Sequence, residues 1–121
     1  MKTLITLSLL LNIAVLIPVC SGLLTHAEWA QKSYGDATAA RGILLSVYLS
    51  ILAASALLLI FRNPAPVAAL LLVQIIYKLT TPLTVGTLSH PVVISNVGIA
   101  LFHIITLWVI WQSMGNPFRL P

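Results

Sequence analysis

Gly42 to Phe61 is a run of twenty residues without a charge, bracketed by Arg41 and Arg62. At about 1.5 Å per helical residue, a run of that length crosses the roughly 30 Å hydrocarbon core of a bilayer. Leu4 to Leu24, Val67 to Leu88 and Val92 to Trp111 read the same way, and among them only Val67 to Leu88 holds a charge, Lys78. The chain is 60% hydrophobic and 7% charged, where an average soluble domain is about 25% charged. Lipid is therefore the expected solvent. The fold class expected is all-α: an integral membrane four-helix transmembrane bundle with short loops, forming one domain over residues 1–121. Four spans take up nearly all of these residues and leave no stretch for a soluble catalytic domain.

The net charge of +4 comes from Lys2, Lys32, Arg41, Arg62, Lys78 and Arg119 against Glu28 and Asp36. Such scattered bases lack the one-sided cluster that nucleic acid requires, so no nucleic-acid partner is expected. They report topology instead. Lys2, Arg62 and Arg119 fall on one side without an acid, whereas Lys32 and Arg41 fall on the other beside both acids. The positive-inside rule then puts both termini in the cytoplasm, and the location expected is a bacterial inner membrane. Met1-Lys2 and Val19-Cys20-Ser21 resemble the ends of a signal peptide, but the apolar run between them exceeds the usual h-region of about 7–15 residues. A retained first helix is expected. With Cys20 the lone cysteine, neither a disulfide within the chain nor a CxxC redox pair is available.

Thr25 to Arg41 is the longest polar connection and holds both acids. Ala27 to Tyr34 suggests a short interfacial helix ending at Gly35, with Trp29 and Tyr34 suited to the headgroup level. Glu28, Trp29, Tyr34 and Asp36 are the candidate partner-binding residues. In the second span, Ser46, Ser50 and Ala54 recur at four-residue spacing and suggest a packing seam. Asn63-Pro64-Ala65-Pro66 reads as a tight turn, which makes the second and third spans antiparallel neighbours.

Lys78 lies about 18 Å from the start of the third span, past the bilayer midplane, where a charge is costly unless it is partnered. Gln74, Tyr77 and Thr81 share or border its helical face. Pro82 has no N–H for the Lys78 carbonyl, so a kink and a freed acceptor are expected. His103 lies about 18 Å into the fourth span, with Asn96 seven residues earlier on the same face. Asn12 and Ser50 come to similar depths, so these groups are expected to share one polar cluster. The candidate ligand or polar-cluster residues are Lys78, Gln74, Tyr77, Asn96 and His103. The structural alternative has Lys78 snorkelling toward headgroups or toward Glu28 or Asp36, and His103 serving as an interhelical hydrogen-bonder.

Enzyme signatures are missing: no Ser/His/Asp set, no Gly-rich phosphate loop, and no acid within the spans. No second intramembrane histidine completes a metal site, and no cofactor is expected, a tetrapyrrole held by His103 being the alternative. The four short spans, the longer first external loop, the Ala40-Arg41-Gly42 start of the second helix and the Arg62-Asn63-Pro64 exit resemble small DoxX-like membrane proteins. That resemblance rests on hydropathy and loop lengths, and it implies an accessory role beside a membrane quinone oxidoreductase complex without transferring a site residue. The function expected is a non-catalytic accessory or assembly subunit, with other integral membrane subunits as partners. A small oligomeric transporter or channel component, using Lys78 for an anionic or quinone-like ligand, is the alternative.

Overall fold

A computed structural model describes residues 1–119. The described residues form helices α1 (Lys2–Leu24), α2 (Glu28–Tyr34), α3 (Ala39–Ile60), α4 (Pro64–Val85) and α5 (Pro91–Met114). All but α2 are long and apolar enough to cross a membrane. The protein is all-α, and four such helices are consistent with a transmembrane helical bundle.

Helix limits differ from the hydropathy limits for identifiable reasons. The Asn63-Pro64-Ala65-Pro66 segment is not a turn in itself but the beginning of α4. Asn63 caps it, its side-chain oxygen accepting the Ala65 N–H at 3.3 Å. Proline is tolerated in a first turn because the amide it lacks would have no helical partner there. The same arrangement opens α5, where His90 Nδ1 accepts the Val92 N–H at 3.1 Å ahead of Pro91. At the other end α4 stops at Val85, short of Leu88, because Gly86 takes a left-handed φ of 88° and turns its N–H back to the Pro82 carbonyl. In contrast α5 runs three residues past Trp111, since an interfacial aromatic ends the apolar zone without ending the helix.

The described residues fall into two compact units. The first comprises Met1–Ser8 and the chain from Phe61 onward. Its centre is the antiparallel pair α4 and α5. Helix α4 buries Val67, Ala68, Leu71, Gln74, Ile75 and Lys78, while α5 buries Val93, Asn96, Ile99, Ala100, His103, Thr106 and Ile110. Both series step by threes and fours, the spacing of one helical face.

The second unit is Leu9–Ile60. Here α1 and α3 run antiparallel in a register set by two contacts: Asn12 Nδ2 donates to Ser55 Oγ at 3.1 Å, and His26 meets Arg41. Trp29 of α2 lies across Gly22, so closely that a Cβ there would stand 2.1 Å from the indole. Gly22 is therefore the residue that lets α2 fold back on α1. The buried face of α3 is Arg41, Tyr48, Ile51 and Ser55. Ser46 and Ser50 are exposed, so the expected Ser46/Ser50/Ala54 seam is not the packed face.

Candidate functional site

Lys78 is 5% exposed on the face that α4 turns toward α5. Its Nζ donates to Asn96 Oδ1 at 3.2 Å; an ammonium has no acceptor, which orients the Asn96 amide. The other end of that amide, Nδ2, donates to Thr81 Oγ1 at 3.4 Å. Thr81 in turn donates to the Lys78 carbonyl at 2.6 Å. This is the carbonyl that Pro82 deprives of its helical amide, so it is occupied and not free. Three residues thus close a ring of hydrogen bonds. The Tyr77 ring adds a cation–π contact, its centroid 4.9 Å from Nζ. Lys78 is accordingly directed to Asn96.

His103 is fully buried, and its Nδ1 lies 3.1 Å from Ser8 Oγ. Ser8 Oγ lies 2.7 Å from Thr106 Oγ1, which donates to the Phe102 carbonyl at 3.3 Å. A hydroxyl carries one proton, so with Thr106 spent on Phe102 the series runs from His103 Nδ1–H to Ser8 to Thr106. Gln74 is buried on the Lys78 face. Of the expected polar cluster, Lys78 and Asn96 are joined directly, and His103 is bonded to Ser8, which leads on to Thr106. Asn12 pairs with Ser55, while the exposed Ser50 donates to the Ser46 carbonyl at 2.8 Å.

Ser8, Ser55 and the closing role of Thr81 were missed by sequence reasoning. A Thr-Pro pair three residues after Lys78 was the available signal for Thr81: a hydroxyl there reaches back to the carbonyl that proline orphans. Ser8 and Ser55 sit in long apolar runs that carry no comparable signal.

The four residues singled out on the polar connection behave differently. Glu28 opens α2 and is exposed, favourably placed at the positive end of that helix. Asp36 accepts from Gln31 Nε2 at 2.8 Å. Trp29 lies against Gly22 yet remains 47% exposed. Tyr34 turns inward, its ring edge-on to Tyr48 at 6.0 Å. Burial raises the Tyr34 phenol above its ordinary range, a hydrogen bond with Tyr48 lowers it in part, and Cys20 adds a smaller rise. Arg41 is not offset by the acids but bonds the Gly35 carbonyl and His26.

No protein-family model, curated protein or solved structure matches this chain.

The site must be judged on its own chemistry. Among the described residues, no group of three or more His, Cys, Asp or Glu side chains converges to hold a metal. What the first unit offers is an ammonium buried among neutral partners, and a histidine linked to two hydroxyls. The first can attract an anion, and the second can pass a proton along hydroxyls.

Proposed function

We propose that this protein is a non-catalytic accessory or assembly subunit of a larger membrane complex, a redox or energy-transducing complex of a bacterial inner membrane being the leading candidate. The observation that carries this reading is the direction of its side chains. The buried polar groups within the spans are turned toward one another, in the Lys78–Asn96–Thr81 ring, the His103–Ser8–Thr106 series and the Asn12–Ser55 pair, while the exposed Ser50 and Thr80 donate to carbonyls of their own helices. Large apolar side chains such as Ile43, Ile60, Leu83, Ile94 and Trp108 are turned outward. Such faces suit lipid and neighbouring membrane helices alike, and Glu28 and Trp29 on the polar connection supply a partner with contacts outside the bilayer. The resemblance to DoxX-like proteins favours a redox partner. Both termini are assigned to the cytoplasm, supported by Lys2 and Arg62 lining one common depression. Purification in a gentle detergent tests the reading: a stoichiometric companion is expected, and migration as a lone small species would overturn it.

A second reading is favoured by a separate observation. The Lys78 ammonium ends on a neutral acceptor, Asn96, with no acid in the spans to balance it. A small transporter or channel component holding an anionic or quinone-like ligand at Lys78, Gln74, Tyr77, Asn96 and His103 would account for that. It requires Lys78→Met to abolish flux or ligand affinity in a protein that still inserts. The tetrapyrrole alternative through His103 requires visible absorption in the purified protein.

A further inference from the structure

Beyond any role in a complex, the junction of α1, α2 and α3 carries a site of its own. Helix α1 ends with the Ala27 N–H on the Gly22 carbonyl at 2.9 Å, across a left-handed residue with φ 52°. Glycine is the usual occupant of such a position, but here it is His26. The imidazole is held by Arg41, whose Nη2 lies 2.6 Å from His26 Nδ1. A guanidinium cannot accept a hydrogen bond, so Nδ1 must be the acceptor and the His26 proton sits on Nε2. Nη1 of Arg41 donates to the Gly35 carbonyl at 2.8 Å.

Arg41 is only 6% exposed, and both of its partners are neutral. Among the described residues no carboxylate pairs with it. It lines a cavity of about 120 Å³ together with His26, Thr38, Leu23 and Leu45. Arg41 is the third residue of the 22-residue α3, so the cavity also faces the helix end where amides are unpaired and the macrodipole is positive. The Thr38 hydroxyl oxygen caps that end by accepting the Arg41 N–H at 3.3 Å, which leaves its proton for another acceptor. A guanidinium has five donors, and two are spent within the protein. A buried positive charge, a positive helix end and spare donors around one cavity form an arrangement with no anion to match it. At the first turn of a membrane span, the group met at that height is a phosphate. The volume corresponds to about four waters at roughly 30 Å³ each, room for one phosphate group but not for acyl chains.

We propose that the cavity beside Arg41 binds a single phosphate group at headgroup level, with Arg41 as its principal donor. A phospholipid headgroup and free phosphate present the same oxygens, and the test separates them. The full chain is purified in a phosphate-free nonionic detergent, and its thermal midpoint is measured with inorganic phosphate, with phosphatidylglycerol, and with a phosphate-free galactolipid as control. At saturation a rise of about 5 °C is expected with a phosphate source, and none with galactolipid. A rise with phosphatidylglycerol alone identifies the lipid headgroup, and a rise with inorganic phosphate as well identifies the bare anion as sufficient.

Because Arg41 also clamps Gly35 and His26, the main variant is Ala37→Phe. Ala37 is exposed and lines the cavity, so phenylalanine there fills the space while leaving the clamp in place. It is expected to lose the shift, and to lose the broadening of the phosphorus NMR line that wild type causes. Arg41→Gln is expected to lose both as well. The absence of a shift with either phosphate source, or an undiminished shift in Ala37→Phe, overturns the proposal. Neither result depends on whether the protein co-purifies with a companion.

Discussion

The Thr81 hydroxyl donates to the Lys78 carbonyl at 2.6 Å, taking the place of the amide that Pro82 cannot supply. A backbone acceptor released by proline within a membrane span is costly without a partner. Here the partner is supplied one residue before the proline, and it also accepts from Asn96. Helix α4 can therefore continue through Pro82 to Val85.

Thr81→Val keeps the shape and removes the donor. It should cost about 1 kcal/mol of stability, and the cost should shrink in a Pro82→Ala background, where residue 82 regains an N–H for Lys78. Denaturation of the four variants in detergent measures the coupling. Equal costs in both backgrounds would mean that the hydroxyl does not serve the orphaned carbonyl.

Asn96→Leu strands the Lys78 ammonium without its acceptor and should destabilise by about 2–3 kcal/mol, the range for hydrogen bonds to charged groups. Lys78→Met added to it removes the stranded charge, so the double variant should be more stable than Asn96→Leu alone. The same unfolding measurement decides. A double variant weaker than Asn96→Leu would show that the Lys78 charge has a further partner.

Gly22→Val places a Cβ where the Trp29 ring already lies. Loss of α2 docking is expected, seen as a red shift in Trp29 fluorescence with Trp108 and Trp111 replaced by Phe. Trp29→Ala should relieve the clash and restore the stability lost by Gly22→Val.

Tyr34 should ionise above the ordinary phenol range because burial disfavours its charged form. A phenol raised in the folded state supports folding fully below about pH 10, where the unfolded chain begins to ionise. That support is lost as pH rises through the folded value. Tyr48→Phe removes the hydrogen bond that partly lowers Tyr34, so Tyr34 should then ionise higher still. Tyrosinate absorbance, taken as the difference from Tyr34→Phe, follows both effects.

Linear position along each span was enough to place Lys78 near Asn96 in height, and the two are hydrogen-bonded. Of the two serines near the middle of α3, one is buried and one is not. Ser50 lies on the exposed side, about 7.5 Å along the axis from the level of Asn12, and Ser55, five residues on, stands at that level and accepts. Five residues turn a helix by about 140° beyond one full turn, which moves a side chain to nearly the opposite face. A span that is apolar on every side offers no periodicity from which to read that rotation.

By itself, then, the sequence determined the solvent, the number of membrane-length helices, the short α2 ending before Gly35, and the inclusion of an ammonium in the third crossing. Those properties follow from uncharged run length and from local backbone preferences, which neighbouring residues carry in full. Tertiary structure alone decided which faces are buried, that Ser8 is bonded to His103, and that Arg41 points at neutral acceptors beside a cavity and not at the acids. Each of those depends on how one helix is rotated against another. That rotation is set by close packing between residues distant in the chain, such as Gly22 under Trp29.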